Sequence, residues 1–209
     1  MRKFLVFFVV TLLVLAVVGD FVVKAAAERA VATELSSTLE LAENPEVGIE
    51  SFPFLVGFFQ GRLDTMIIES SDVEAGALTL DEVTLTLDDL EFEPGDVIGG
   101  DVDRITIGGG TGEGILTQSD LNRALRNEGV PVTATLARGA VSLETEAGSA
   151  EGDLALDDGV LVVSGPGGIS VDFQLPSLGG RVTFDDLAIE GGRARLTLGV
   201  APGELRPPG

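Results

Sequence analysis

The side chains that could do chemistry in this chain are almost all carboxylates. Its 209 residues include 34 Asp and Glu, 13 Lys and Arg, and no His, Cys, Trp or Tyr, which gives a formal net charge of −21. Without His or Cys, the chain cannot form a Ser-His-Asp triad, a Cys-His dyad, a cysteine-rich zinc site or a disulfide framework. An acidic chain without Trp or Tyr also argues against nucleic acid as a partner. We therefore expect no enzymatic activity, no catalytic residue, no metal ion and no cofactor.

Two segments have compositions that could bind an ion. Residues 88–93, Asp-Asp-Leu-Glu-Phe-Glu, could supply oxygen ligands to Ca²⁺, but they lack EF-hand spacing, and a solvated acidic face explains them more simply. Gly108–Gly114 resembles a phosphate-binding loop only in its glycine content, because it lacks the Gly-Lys-Ser/Thr ending. We predict a flexible turn there.

Phenylalanine is the residue type whose distribution indicates a binding site. Four of the eleven Phe fall within residues 52–59, in the sequence Phe-Pro-Phe-Leu-Val-Gly-Phe-Phe. This segment could be ordinary core, or it could form an apolar wall or rim that accepts acyl chains or dips into lipid. Because Phe has no polar group, a deep apolar wall is favoured over an interfacial belt. The candidate lipid-binding residues are Phe52, Phe54, Leu55, Phe58, Phe59 and the adjacent Arg62.

The N-terminus has the pattern of an export signal. Arg2 and Lys3 precede fifteen uncharged residues, Phe4–Val18. Two cations before an apolar run match the start of a secretory signal and favour a cytoplasmic position for this end of the chain. As a helix the run is about 22 Å long, and extending it to Val23 reaches about 30 Å, the thickness of the hydrocarbon core. We therefore expect residues 1–27 to form a signal-anchor or transmembrane segment.

Two alternatives to an anchor stay open. Ala25 and Ala27 form an Ala-x-Ala site that would permit cleavage before Glu28, and the run could also be a buried core helix. With an anchor, the rest of the chain lies at the extracytoplasmic face of the cell membrane; after cleavage it is secreted or periplasmic. Residues 28–209 carry a net charge of −23, because three cations and one carboxylate precede Glu28.

The remaining pattern predicts one α+β domain. An amphipathic helix is expected over about residues 21–42, and a short helix begins at Thr117, in a sequence like a capping box, and ends near Gly129. Elsewhere apolar and polar residues alternate in short runs separated by glycine or acidic turns, which indicates a large antiparallel sheet with one apolar face. The domain is expected over residues 28–201, with a flexible tail at 202–209.

Several segments together resemble a known family. Residues 47–63 read Val-x-Ile-x-Ser-Phe-Pro-Phe-Leu-Val-x-Phe-Phe-Gln-Gly-Arg-Leu. With residues 116–122 and 171–176, they are similar to the LmeA family of actinobacterial phospholipid-binding envelope proteins, over nearly the whole chain. The resemblance implies an extracytoplasmic protein that binds phospholipid and supports envelope lipid assembly. It also implies a fold like the tubular lipid-binding (TULIP) proteins, in which a curved sheet forms a half-barrel around a helix and an apolar groove.

The residues and the resemblance together predict a membrane-tethered protein that sequesters or presents a phospholipid in an apolar groove lined by Phe52–Phe59, for cell-envelope maintenance. The alternative is an envelope scaffold whose Phe cluster is ordinary core and which binds no lipid. Burial stabilises acyl chains by ~0.8 kcal/mol per methylene, which can outweigh headgroup repulsion from the acidic surface. Cations that could offset this repulsion locally are Arg62, Arg104, Arg123 and Arg126, of which Arg62 is the first candidate for headgroup contact.

Overall fold

The computed structural model describes residues 2–38, 41, 43–99, 104–137, 139–145, 148–176 and 180–205. Within these residues the chain forms a long N-terminal helix, three shorter α-helices and two antiparallel sheets. This arrangement confirms the predicted α+β class, with antiparallel strands and a long first helix.

The first helix, α1, joins the two helical segments predicted at the N-terminus. It spans Arg2–Thr38, so the apolar run and the amphipathic helix form one uninterrupted helix. Residues 39, 40 and 42, at the predicted end of this helix, lie outside the described residues. In the described part of the chain, no helix is long and apolar enough to cross a membrane.

The shorter elements follow in chain order. The helices are α2 (Phe54–Phe59), α3 (Pro94–Gly99) and α4 (Gln118–Asn127). The strands are β1 (Glu46–Ile49), β2 (Arg62–Ala75), β3 (Leu78–Phe92), β4 (Ile105–Ile107), β5 (Gly109–Thr117), β6 (Thr133–Ala137), β7 (Ala140–Thr145), β8 (Gly148–Asp157), β9 (Val160–Gly165), β10 (Ile169–Gln174), β11 (Val182–Glu190), β12 (Arg193–Val200) and β13 (Gly203–Leu205).

The strands form two sheets, where the alternating pattern predicts one. The eight-stranded sheet has the order β1-β2-β3-β5-β12-β11, and β4 pairs with both β3 and β13. The five-stranded sheet has the order β10-β9-β8-β7-β6. Among the described residues neither sheet closes on itself, so the architecture is an open one, consistent with a curved half-barrel.

The limits of α4 agree with the predicted signals. The Thr117 hydroxyl oxygen accepts a hydrogen bond from the backbone N–H of Asp120, at 3.2 Å, and so caps the first turn. At the other end Gly129 has a φ of 73°, the left-handed conformation that commonly ends a helix.

The predicted flexible turn at Gly108–Gly114 is wrong. Most of these residues belong to β5, which lies between β3 and β12 in the eight-stranded sheet. Glycine is needed there for close approach: a Cβ on Gly112 would lie 2.5 Å from Leu85 Cδ2, and one on Gly110 would meet the Thr86 carbonyl oxygen. Within the predicted tail, Gly203–Leu205 pair with β4; residues 206–209 lie outside the described residues.

Buried apolar residues form two clusters on the eight-stranded sheet. The intersheet cluster joins α4 and the five-stranded sheet to one end of the eight-stranded sheet, and includes Leu80, Leu125 and Phe173. The α1 cluster lies at the other end, where Ala32 of α1 packs with β1, α2 and strands of the eight-stranded sheet. Phe184 on β11 packs against both clusters. The fold therefore has two cores that share one sheet.

Candidate functional site

The α2 helix, which contains most of the predicted site residues, is held in place by α1. Asp20 of α1 is only 4% exposed. Its two carboxylate oxygens accept hydrogen bonds from the backbone N–H groups of Phe54 (2.9 Å) and Leu55 (2.7 Å). A carboxylate here satisfies donors that the first turn of a helix leaves without partners. The predicted boundary between residues 27 and 28 therefore falls within a helix that contacts the domain on both sides of it.

Three predicted site residues point into the α1 cluster. Phe54 is 2% exposed, and Leu55 and Phe58 are partly buried against the same cluster. The Phe58 ring lies 5.8 Å from the Phe54 ring and 5.5 Å from the Phe92 ring, measured between centroids. These side chains fill the interior beside α2, as the core interpretation of the Phe cluster expects.

The other apolar residues of this segment face outwards. Phe52 is 67% exposed, Phe59 is 70% exposed, and Val56 between them is 51% exposed. The Phe52 ring lies 6.2 Å from the ring of Phe21 on α1, so the segment that leads into α2 shares an apolar surface with α1. Sequence reasoning missed Val56 as part of this surface, although its spacing of three residues from Phe59 places both on one side of α2.

Exposed apolar side chains are concentrated at this end of the molecule. Among the side chains that the structure describes, the strongly exposed large hydrophobic residues all belong to α1, the segment around α2, or α3. They are Leu13, Val14, Leu15, Val17, Val18, Phe21, Val22, Val23, Phe52, Val56, Phe59 and Ile98. Surface patches of this kind mark membrane, protein or ligand contacts.

The candidate cations lie at opposite ends of the eight-stranded sheet. Arg62 is exposed at the start of β2, opposite Glu91 on β3. Arg104 lies at the same end, 3.9 Å from Glu204. Arg123 of α4 pairs with Asp120 at 3.0 Å, beyond the end of β5 that lies opposite the start of β3. The β3 residues between these ends span roughly 30 Å, so Arg62 and Arg123 cannot contact one headgroup.

A row of apolar residues crosses the eight-stranded sheet where the two clusters meet; Leu198 belongs to the α1 cluster, Ile68 packs against it, and Phe184 packs against both clusters. The strand registers align it as Ile68 on β2, Leu85 on β3, Gly112 on β5, Leu198 on β12 and Phe184 on β11. Ile68, Leu85 and Phe184 are partly buried and Leu198 is buried, and side chains of the row lie over Gly112, where an added Cβ would be 2.5 Å from Leu85 Cδ2 and 3.5 Å from Leu198 Cβ. We call these five residues the apolar row. Sequence reasoning missed it because alternation shows which residues share a face but not which strands are neighbours.

Two clefts on the surface have polar walls. One, of about 560 Å³, lies between β8 and β11 and is bordered by Phe184 and four aspartates, residues 157, 158, 185 and 186. The other, of about 200 Å³, contains Glu113 and Arg195, which pair at 3.1 Å. In the described residues, no group of three or more carboxylates is arranged to hold a metal ion. Neither cleft reaches residues 52–59.

The structure combines an open α+β fold with two cores, an apolar row where the cores meet and an exposed apolar end. In the comparison with protein families, the LmeA-like phospholipid-binding family matches residues 18–199. The chain belongs to this family. The match begins before Asp20 and so includes the part of α1 that contacts α2. Comparisons with curated proteins and with solved structures give no match.

Proposed function

We propose that this protein binds a phospholipid without making or breaking a bond, with an acyl chain lying along the apolar row. Membership of a phospholipid-binding family is the observation that carries the proposal. The apolar row supports it physically, because Ile68, Leu85 and Phe184 keep apolar surface that neither cluster covers completely. Covering an acyl chain gains ~0.8 kcal/mol per methylene removed from water.

The same proposal places the protein at the extracytoplasmic face of a cell membrane, tethered through α1, for cell-envelope maintenance. The uncharged run Phe4–Val18 and the exposed apolar side chains of α1 support this location. Removal of residues 1–27 would release the domain, but it would also remove Asp20 and its two hydrogen bonds to α2. The geometry therefore favours the uncleaved chain.

The burial of Phe54 is the observation that favours the alternative function, an envelope scaffold that binds no lipid. Lipid extraction from the purified full chain, followed by mass spectrometry, separates the two functions. We expect co-purified phospholipid at a defined ratio to protein. Its persistent absence, after addition of phospholipid as well, would support the scaffold.

Neighbouring residues on β2 offer a matched pair of variants for this experiment. Ile68 lies in the apolar row, whereas Ile67 points to the opposite face of the sheet, and both are partly buried. We expect Ile68→Ser to lower the lipid-to-protein ratio and Ile67→Ser to leave it close to that of the unchanged chain. Equal ratios in the two variants would show that the lipid lies elsewhere.

A further inference from the structure

The outward face of α2 has the properties of a surface that rests on a bilayer. It consists of Val56 and Phe59 of α2 together with Phe52, which lies two residues before α2, and the Phe21–Phe52 ring contact joins it to the exposed apolar side chains of α1. Residues 51–61 contain no charged residue, in a chain with 34 carboxylates. An uncharged apolar face in so acidic a protein matches the uncharged interior of a bilayer rather than a polar partner.

The charges around this face support the same partner. Arg62 follows the uncharged segment directly, and exposed Glu50 precedes it. Lys24 lies one helical turn beyond Phe21 on α1 and pairs with Glu28 at 3.6 Å. Cations that border an apolar face are placed where the phosphate groups begin when the face enters a bilayer. Glu91 and Glu93 are also exposed near Arg62, which weakens any net attraction to anionic lipid. The driving force is therefore apolar burial rather than charge.

The rigid attachment of α2 makes this face a defined surface. Asp20 fixes the start of α2 to α1, and Phe54 and Phe58 anchor its inner side in the α1 cluster. With the inner side fixed, Phe52 and Phe59 stay on the outside, where each remains largely exposed although its ring contacts one other ring, Phe21 for Phe52 and Phe58 for Phe59.

We propose that the α2 face formed by Phe52, Val56 and Phe59 is a bilayer-docking surface, which enters the outer part of a phospholipid bilayer beside α1. This inference rests on the proposed function, phospholipid binding at a membrane, but it concerns a surface separate from the apolar row. Docking would hold the α2 end of the eight-stranded sheet against the bilayer that contains the phospholipid.

The chain contains no Trp or Tyr, so a single introduced Trp reports on its own surroundings. The Phe59→Trp and Asn127→Trp variants of the full chain would be placed with phosphatidylcholine vesicles; Asn127 is exposed at the end of α4, on the far end of the sheet. Brominated acyl chains quench only a Trp that contacts them. We expect Phe59→Trp to lose most of its emission in brominated vesicles, to shift to shorter wavelength and to be protected from aqueous iodide. Asn127→Trp should show none of these effects.

Three outcomes would overturn the proposal. Equal iodide quenching of the two variants in vesicles would show that the α2 face stays in water. Protection from iodide without quenching by brominated lipid would indicate that a second copy of the chain covers the face. Quenching by a dispersed short-chain brominated phospholipid, below its micelle concentration, would indicate a site for single lipids. Lipid extraction tests the proposed function separately, since docking can occur with an empty apolar row and the row can be filled without docking.

Discussion

The two ends of the eight-stranded sheet are both covered by packed elements, but they expose different surfaces. At the α4 end, the five-stranded sheet and α4 cover the sheet, and the described residues there expose no large hydrophobic side chain strongly. At the α2 end, α1 covers the sheet, but Phe52 and Phe59 remain outside. Both ends have a complete core beneath. The difference shows that the apolar surface at the α2 end is not required for folding, and so points to function.

At each end of the sheet, side chains of a helix hydrogen-bond to the backbone of an edge strand. Gln118 and Asn122 of α4 hydrogen-bond to backbone groups of Leu136 and Ala134 on β6, an edge strand. At the other end, the Glu28 carboxylate of α1 accepts a hydrogen bond from the backbone N–H of Ile49 on edge strand β1, at 2.9 Å. Edge groups paired in this way cannot pair with another chain. The α4 end uses two neutral amide side chains, whereas the α1 end uses one carboxylate, that of Glu28.

The largest expected effect is a loss of stability on removing a buried ring from either core, and it tests whether the two cores are equally well packed. Phe54 and Phe173 are 2% and 1% exposed, one in each cluster. Phe54→Ala and Phe173→Ala should each lower the free energy of unfolding by about 3–5 kcal/mol, because each leaves a cavity in a packed core. Urea unfolding measures this change. Phe59→Ala is the matched control, since its exposed ring should cost no more than about 0.5 kcal/mol.

If Phe54→Ala lowered the free energy of unfolding only slightly while Phe173→Ala lowered it by the expected amount, the two cores would not be equally well packed. Such a result would mean that the space beside α2 is adaptable, as expected of a groove that opens for an acyl chain. Equal effects would confirm that the binding surface at this end lies outside α2 rather than beneath it.

The difference between the two ends was only partly predictable from the sequence. The limits of α4 were predictable because Thr117 and Gly129 act within a turn of the helix they bound. The glycines of β5 were wrongly placed in a turn, because their role depends on Leu85 and Thr86, which are distant in sequence. Composition alone cannot report such a neighbour.

The candidate site shows the same limit. The sequence marks residues 52–59 as an apolar block, but it cannot separate the buried Phe54 from the exposed Phe59. That separation depends on the contact of Asp20 with α2, across more than thirty residues. Asp20 lies within the predicted signal-anchor segment, and nothing in the sequence around it indicates hydrogen bonds to α2.

The next effect concerns the polar contacts that attach each helix. Asn122→Ala should cost about 2–3 kcal/mol, because it leaves both backbone groups of buried Ala134 without the side-chain partner. Asp20→Ala should cost about 1–2 kcal/mol, less because the N–H of Leu55 is only partly buried. Urea unfolding measures both, and hydrogen exchange at Phe54 and Leu55 should accelerate only in the Asp20 variant.

An exposed aspartate supplies the control for this pair. Asp186→Ala removes the same charge from β11, where the side chain is exposed, and should leave stability and exchange unchanged. Unchanged exchange in Asp20→Ala would mean that α2 stays in place without α1. The fragment 28–209, formed by cleavage after Ala27, would then be as stable as the full chain, and the cleaved form would become the better interpretation.

The smallest effect tests whether charge contributes at the α2 end. Arg62→Ala should weaken binding to vesicles that contain anionic lipid by roughly 1 kcal/mol or less, and leave binding to phosphatidylcholine vesicles unchanged. Arg126→Ala removes an equal charge from α4 at the far end of the sheet and should have no effect on either. The Arg62 effect should fade in high salt, where surface charges are screened within a few ångströms. Equal losses of binding to anionic vesicles in the two variants would mean that only the net charge of the protein matters. A local headgroup contact requires the cation beside the apolar face, so loss of the distant Arg126 should not imitate loss of Arg62.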